Sequence, residues 1–252
     1  MRRNPIRERW SRGEAASNLW IDIGWPVTVE ALGRLQYDSY TVDLQHSLID
    51  RSVLVSLFQA LSLGNGAPMV RVTQNDPGEI AFVLDAGAYG VICPTMETAE
   101  QCRAFVAACE YPPRGVRSWG PTRGVMYGGA DYFENYRNEI LTIALIETAE
   151  GIRNLDAIAA VPGLDMIYLG PNDLGVSHGA KPSYTPNHPE VERAMDSVVA
   201  AARKHSIAAG MHTASKDVAL AAKAKGYKLL SLGYASKIMA GAATQVLKDA
   251  FG

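Results

Sequence analysis

Two carboxylates, Glu147 and Asp173, each follow a short apolar run of the kind that forms a buried strand. The runs are Leu141–Ile146 and Met166–Leu169, and the helical segment between them predicts neighbouring parallel strands. Both carboxylates then emerge at the same end of one sheet, where they repel each other unless a cation or a shared proton resolves the conflict. A bound divalent metal is the interpretation that we favour.

Other predicted strands also end in residues that can do chemistry. Gln45 and His46 follow the second strand, Arg71 lies near the end of the third, and His212 follows the seventh. A lone histidine is more often an ordinary polar residue, and a lone arginine is usually a salt-bridge partner. Several such residues at strand ends are harder to explain structurally, because barrel enzymes hold their active sites at the carboxyl ends of the strands.

These residue types suit one kind of reaction. Two carboxylates favour Mg²⁺ or Mn²⁺, with Co²⁺ as a third candidate, and leave positions for water and substrate. A 2-oxo acid can chelate such a metal, which then stabilises an enolate as a Lewis acid. Arg71 would add positive charge beside the oxyanion, and His46 could move protons near neutral pH. Asp85, in the next helix, could orient His46, although by sequence it is equally a surface helix residue.

The elements that must position these residues alternate between strand and helix patterns. The first strand is predicted at 18–23, and a proline-initiated helix follows at 26–35. A second helix is predicted to begin at the cap Asp50, and Asp76 before Pro77 predicts the start of another. The remaining strands are predicted at 40–44, 68–72, 89–93, 141–146, 166–169, 207–211 and 229–232.

Eight such units without a linker predict one (β/α)8 barrel domain spanning residues 1–252. A doubly wound open sheet is the alternative, but the sequence has no G-x-G-x-x-G and no P-loop motif. One long irregular stretch, 111–132, interrupts the pattern. Loops of this length are usually functional or disordered. Its arginines and aromatic residues favour function, and a surface excursion over the barrel mouth is the other interpretation.

Composition excludes several classes of protein. The net charge of -2 offers no electrostatic case for binding nucleic acid or an anionic membrane. No run approaches the roughly 18 apolar residues of a membrane span, and no apolar region follows the first arginines as in an export signal. The three cysteines lack CxxC spacing, which indicates reduced thiols in a cytoplasmic protein. Lys228 and Lys237 lie outside the strand interiors, so a Schiff-base aldolase is disfavoured.

Several motifs, taken in order, resemble the HpcH/HpaI family of metal-dependent class II pyruvate aldolases. The family includes 4-hydroxy-2-oxoheptanedioate aldolase, 2-keto-3-deoxyglucarate aldolase and macrophomate synthase, and the resemblance covers nearly the whole chain. The matching segments are 40–46 (YTVDLQH), 70–77 (VRVTQNDP), 85–87 (DAG), 111–117 (YPPRGVR), 146–148 (IET) and 170–174 (GPNDL).

The resemblance implies a role for each matching residue. Glu147 and Asp173 resemble the metal ligands, His46 the general base, Asp85 its supporting carboxylate, and Arg71 the residue that stabilises the enolate. The segment Gly170, Pro171, Asn172 and Asp173 resembles the cradle for the pyruvate carboxylate. The resemblance also implies a homohexamer in which the last helix is exchanged between subunits.

Some positions depart from the family pattern. Gln45 stands where the family often has glutamate, and Leu145 where it commonly has glutamine. Asn172 replaces a small residue, and its amide could partly compensate for Leu145. The run 210–213 (GMHT) replaces a more apolar segment. We therefore expect Gln45, Leu145 and Asn172 to shape substrate binding, and Leu145 and Asn172 to be where this enzyme differs from its relatives; the motifs do not name the aldehyde.

The leading hypothesis is reversible cleavage of a 4-hydroxy-2-oxo acid, of the 2-keto-3-deoxy acid type, to pyruvate and an aldehyde through a metal-bound enolate. An oxaloacetate or 2-oxo acid decarboxylase would use the same enolate. A citrate-lyase-like or malyl-CoA-lyase-like enzyme would need a basic groove for CoA, for which Arg114, Arg117 and Arg123 are the suggestive cluster. A non-catalytic structural barrel is disfavoured by the intact set of candidate site residues.

Overall fold

Eight parallel strands close into a barrel in which each strand pairs with the next along the chain and β8 pairs with β1. The computed structural model describes residues 1–183 and 188–252. This is the predicted (β/α)8 architecture. The strands are β1 Ala16–Ile21, β2 Ser39–Asp43, β3 Ala67–Arg71, β4 Gly90–Cys93, β5 Leu141–Ile146, β6 Met166–Leu169, β7 Ala208–Thr213 and β8 Leu229–Tyr234.

Helices surround the barrel, and several begin where the sequence predicts a cap. The Asp50 carboxylate accepts hydrogen bonds from the backbone N–H groups of Ser52 and Val53, and the Asp76 carboxylate accepts one from Glu79. The helices are α1 Pro5–Ser11, α2 Pro26–Gly33, α3 Arg51–Leu61, α4 Pro77–Asp85, α5 Ala99–Cys109, α6 Thr122–Gly128, α7 Tyr132–Glu139, α8 Ala149–Arg153, α9 Leu155–Ala159, α10 Pro171–Ser177, α11 Pro189–Lys204, α12 Lys216–Lys225 and α13 Ala235–Phe251.

Two apolar cores hold these layers together. The larger one lies between the strands and the surrounding helices, where outward-facing strand residues meet helix residues such as Leu57 and Phe105. The smaller one fills the barrel with inward-facing side chains, including Met69, Ile143 and Tyr168. Because side chains alternate along a strand, each strand supplies both cores, which explains why the strands are apolar throughout.

The boundaries of two strands differ from the prediction in a way that matters for the site. Strand β7 continues to Thr213 and β8 to Tyr234, beyond the predicted ends at 211 and 232. The last residues of these two strands are not apolar, so a search for apolar runs ends the strands too early. His212 therefore lies within strand β7, and its side chain extends from that strand and not from the loop that follows it.

The long stretch 111–132 lies at the amino end of the barrel and not over its mouth. It follows α5, which runs away from the mouth, and it contains helix α6. The Arg123 side chain donates a hydrogen bond to the carbonyl of Ala86 at the end of α4, which lies at the same end of the barrel. The alternative interpretation, an excursion over the mouth, is therefore wrong, because the chain direction of a barrel helix carries its last residue to the opposite face.

Helix α13 projects an apolar surface into solvent. Ala235 is its buried residue, whereas Ile238, Met239, Val246, Leu247 and Phe251 are exposed. In the part of the chain that the structure describes, no helix is both long and apolar enough to cross a membrane.

Candidate active site

A small cavity opens at the carboxyl ends of the barrel strands, where the sequence predicts the site. Of the predicted site residues, seven line it: Arg71, Leu145, Glu147, Gly170, Pro171, Asn172 and Asp173. The fold therefore brings Glu147, Asp173 and Arg71 together, as expected for residues that lie at the carboxyl ends of barrel strands. Trp20, Tyr168, His212 and Tyr234 complete the wall.

Glu147 is the buried acidic residue of this cavity. Its Oε1 atom accepts a hydrogen bond from the backbone N–H of Thr95 at 2.9 Å, and the Thr95 hydroxyl lies 3.3 Å from the same oxygen. Burial raises the pKa of Glu147 to about 7, and the negative charge of Asp173 acts in the same direction. The hydrogen bonds from Thr95 and the charge of Arg71 act against this rise. Two carboxylates thus meet here at an electrostatic cost.

The position of the Glu147 carboxylate depends on Gly170, which joins β6 to α10. A Cβ atom on Gly170 would lie 2.8 Å from Oε2 of Glu147 and 2.9 Å from its Cβ atom, closer than real Cβ contacts. Residue 170 must therefore lack a side chain if the Glu147 carboxylate is to keep its place. The turn then continues into α10, whose first turn carries Asp173.

The carboxylate pair fits a divalent metal ion. Glu147 and Asp173 supply the oxygen atoms that Mg²⁺ and Mn²⁺ prefer, and a cation between them would offset their mutual repulsion. Within residues 1–183 and 188–252, no group of three His, Cys, Asp or Glu side chains could hold a metal together. The two carboxylates would therefore leave further coordination positions to water and substrate.

Arg71 is held by Asp43, a residue to which the sequence analysis assigned no role. The Nε and Nη2 atoms of Arg71 donate to the two Asp43 oxygens at 2.9 Å and 2.6 Å, and both side chains are buried. Burial alone would lower the pKa of Arg71, but the hydrogen bond and charge of Asp43 leave it raised, so the guanidinium stays charged. Asp43 and Arg71 lie at paired positions at the ends of β2 and β3. An acidic and a basic residue at the ends of two successive predicted strands could have indicated this ion pair from the sequence.

An aromatic wall faces the charged groups across the cavity. The Trp20 ring lies under the guanidinium of Arg71, with 4.5 Å between the carbon Cζ and the ring centroid. The Trp20 Nε1–H and the Tyr168 hydroxyl both donate to the Ser231 hydroxyl at 2.6 Å, and this fixes the two rings. Sequence reasoning missed these rings because it searched for charged residues after the strands and not for aromatic ones pointing into the barrel.

His212 packs into this wall. Its ring lies 5.3 Å from Trp20 in an edge-to-face arrangement and 4.8 Å from Tyr234, measured between centroids. Burial lowers the pKa of His212 to about 4, and the positive charges of Arg71 and Lys237 add to this effect, whereas Asp43 opposes it. The imidazole is therefore neutral near pH 7.

Gln45 and His46 lie at the mouth, outside the residues that line the cavity. The backbone N–H groups of both donate to Asp43, at 3.0 Å and 3.3 Å. The His46 side chain is exposed, and the Gln45 Oε1 atom is buried without a hydrogen-bond partner among the described residues. Asp43 thus positions both Arg71 and the start of the loop that carries the predicted base.

Asp85 does not support His46 within one chain, which corrects the prediction of that pair. Asp85 is the last residue of α4 and lies at the amino end of the barrel, opposite the mouth. Its carboxylate instead accepts a hydrogen bond from Nη2 of Arg117 at 2.7 Å. The direction of a helix between two strands could have revealed this from the sequence.

Known proteins are similar to this chain in sequence over nearly its whole length. A sequence model described as HpcH/HpaI aldolase/citrate lyase matches residues 16–242. The chain is 34% identical to a hydroxypyruvate/pyruvate aldolase of Rhizorhabdus wittichii over 98% of both chains. It is also 34% identical to a 5-keto-4-deoxy-D-glucarate aldolase of Klebsiella pneumoniae subsp. pneumoniae, over 98% of this chain and 96% of that one.

Solved structures are similar over the same length. A HpcH/HpaI aldolase/citrate lyase family protein from Burkholderia cenocepacia superimposes with a TM-score of 0.92 at 28% identity, covering 99% of this chain and 100% of the other. The citrate synthase SbnG superimposes with a TM-score of 0.87 at 27% identity, covering 97% and 96%.

Proposed function

Because this chain belongs to the HpcH/HpaI aldolase/citrate lyase family and is a carbon–carbon lyase, we propose that it is a metal-dependent pyruvate aldolase. Its substrate would be a 4-hydroxy-2-oxo acid of the 2-keto-3-deoxy type, which it cleaves reversibly to pyruvate and an aldehyde. The observation that carries the proposal is the cavity in which the buried carboxylate of Glu147 and the exposed carboxylate of Asp173 meet the buried cation Arg71.

In this proposal Glu147 and Asp173 hold the divalent ion, Mg²⁺ or Mn²⁺. When bound, the ion supplies Lewis acidity toward the 2-oxo group of the substrate. The backbone N–H groups of segment 170–173 and the side-chain NH2 group of Asn172 donate to the substrate carboxylate. Leu145 lines the cavity beside them, and Gln45 lies at its mouth.

The bond changes then follow from the side chains. His46 accepts the proton of the C4 hydroxyl while the bond between C3 and C4 breaks, which releases the aldehyde. The electron pair of that bond forms the enolate of pyruvate, and Arg71 stabilises its negative oxygen. His46 then returns that proton to C3, directly or through water, which completes pyruvate and restores the base. Asp43 keeps Arg71 in place during this change, since it binds both ends of the guanidinium fork.

The proposal is tested by the release of pyruvate from a panel of 4-hydroxy-2-oxo acids, with oxaloacetate included to reveal a decarboxylase. We expect EDTA to abolish release and Mg²⁺ or Mn²⁺ to restore it. Glu147→Gln and Asp173→Asn should each lower kcat/KM at least a hundredfold and weaken Mn²⁺ binding measured by calorimetry, because each removes an anionic ligand.

Glu150→Gln is the matched control. Glu150 lies three residues from Glu147, but its side chain is 45% exposed and paired with Arg153, so its replacement should change neither readout appreciably. Full activity in Glu147→Gln, or activity unaffected by EDTA, would remove the carboxylate pair from the mechanism.

The proposal extends to assembly and location. A groove between α12 and β8 is lined by Leu220, Leu230 and Leu232, and Leu232 is 39% exposed although it lies on a barrel strand. We infer that the apolar face of α13 from a second copy fills such a groove, within a homohexamer of 252-residue single-domain subunits. In that assembly Asp85 could support His46 only across a subunit boundary.

The three buried free cysteines are compatible with a cytoplasmic protein.

A further inference from the structure

A cluster of polar side chains inside the barrel supports the aromatic wall of the cavity. Its centre is Ser231 on β8, which is fully buried and is not among the residues that line the cavity. The Trp20 indole N–H and the Tyr168 hydroxyl both donate to the Ser231 oxygen at 2.6 Å, and both rings line the cavity. Ser231 therefore holds part of the cavity wall without meeting a substrate itself.

The Ser231 hydroxyl has two lone pairs and one proton, and the cluster uses all of them. The two ring donors occupy the lone pairs, so the proton needs an acceptor. In the amide orientation that satisfies every partner, the Asn18 side-chain oxygen lies 2.7 Å from the Ser231 oxygen. The Asn18 NH2 group then lies 3.0 Å from the hydroxyls of Ser39 and Thr41. Asn18 and Ser231 occupy paired positions on β1 and β8, so the barrel backbone fixes the distance between them.

Trp20 connects this cluster to Arg71. The Arg71 guanidinium lies over the indole ring, with 4.5 Å between Cζ and the ring centroid. Asp43 binds the edge of the same guanidinium through Nε and Nη2, which uses two of its five N–H groups. The ring prevents the guanidinium from moving toward that side of the cavity. The direction of the remaining N–H groups, which would meet the enolate oxygen, therefore depends on both contacts.

The loss of the Ser231 hydroxyl would move the surface on which Arg71 rests. The Trp20 N–H and the Tyr168 hydroxyl would both lose their short bond, and a buried donor without a partner costs free energy. The Asn18 oxygen, 3.2 Å from the indole nitrogen, would then be the acceptor for Trp20, so the ring would shift toward Asn18.

We propose that Ser231 is a positioning residue for Arg71, which acts through the hydrogen bond that holds the Trp20 ring. This inference rests on the proposed aldolase function, in which Arg71 stabilises the enolate. Because Ser231 touches no reacting atom and no metal ligand, its influence should appear in the rate of enolate formation and not in metal affinity.

The test measures exchange of the C3 protons of pyruvate with deuterated water, followed by NMR with saturating Mg²⁺ and without aldehyde. This exchange reports enolate formation alone. We expect Ser231→Ala to lower kcat for exchange roughly tenfold and to change KM for pyruvate by less than about twofold, because a displaced charge weakens the transition state more than substrate binding. Mn²⁺ affinity, measured by calorimetry, should stay at the wild-type value.

Ser39→Ala is the matched control. Ser39 is also a fully buried serine of the barrel interior, but its hydroxyl bonds to the Ser17 carbonyl and to the Asn18 amide and to neither ring. We expect this variant to lose stability and to keep the wild-type exchange rate. The double variant Ser231→Ala, Tyr168→Phe removes one of the two donors that Ser231→Ala leaves without its acceptor. It should therefore fold even if Ser231→Ala does not, and it should also exchange slowly.

A double-mutant cycle identifies Arg71 as the group through which Ser231 acts. Lysine lacks the planar group that rests on the ring, so in an Arg71→Lys background Ser231→Ala should lower the exchange rate by less than about twofold. A tenfold loss in that background, wild-type exchange in Ser231→Ala, or an equal loss in Ser39→Ala would overturn the proposal, while the aldolase function would stand. A wild type that neither exchanges pyruvate protons nor cleaves any 4-hydroxy-2-oxo acid would overturn the aldolase function itself.

Discussion

Among single residues, Asp43 has the widest influence on the candidate site. It binds the Arg71 guanidinium through two hydrogen bonds and accepts the backbone N–H groups of Gln45 and His46. We expect Asp43→Asn to leave Arg71 as a buried cation without an anionic partner. Breaking a buried pair in this way costs roughly 3 kcal/mol of folding stability. Urea unfolding should show this loss, and kcat/KM should fall at least tenfold because Arg71 and the His46 loop both lose their support.

Asp50→Asn is the matched control for that substitution. Asp50 caps α3 at the surface, and asparagine caps a helix about as well as aspartate, so stability should change little. Wild-type stability together with wild-type activity in Asp43→Asn would show that the pair does not position the site.

Among the elements, the junction of β6 and α10 leaves room for the Glu147 carboxylate. Gly170→Ala would place a Cβ atom 2.8 Å from Oε2 of Glu147, so the carboxylate must shift. We expect Mn²⁺ affinity, measured by calorimetry, to fall by about 10- to 100-fold, the usual effect of disturbing the support of a metal ligand.

Gly175→Ala lies in the same helix and separates this effect from a general change in α10. A Cβ atom there would meet its nearest neighbours at 3.8 Å, which is ordinary contact, and alanine favours helix by up to about 1 kcal/mol. Equal Mn²⁺ affinity in the Gly170→Ala and Gly175→Ala variants would contradict the role that we assign to the junction.

At the level of the whole molecule, α13 is the helix whose apolar side chains stay exposed in a single chain. Light scattering coupled to size exclusion should find an oligomer for the wild type. We expect Leu232→Glu, in the groove, and Val246→Glu, on α13, each to shift the mass toward the 27.2 kDa monomer, because each buries a charge at the same proposed interface.

Gln245→Glu is the control for those substitutions, since it adds a charge at an exposed polar position of α13. An oligomer that survives both Leu232→Glu and Val246→Glu would place the interface elsewhere. A wild-type monomer would contradict the exchange of α13 altogether.

The sequence by itself determined the barrel and the presence of Arg71, Glu147 and Asp173 in one cavity. Strand and helix patterns are local, and in a barrel of parallel strands all the strand ends meet at one rim, so a residue's place in its own strand is sufficient. The same reasoning, applied to the direction of α4, could have placed Asp85 at the other end.

Only the tertiary structure decided which side chains touch inside that rim. The contact between Trp20 and His212 joins residues from β1 and β7, and the bond from Trp20 to Ser231 joins β1 to β8, which neighbour each other only after the barrel has closed. Neither ring nitrogen of His212 has a hydrogen-bond partner within residues 1–183 and 188–252, and this depends on every strand that surrounds the ring. Such contacts arise between residues far apart in the chain, and no local pattern encodes them, because closure brings them together.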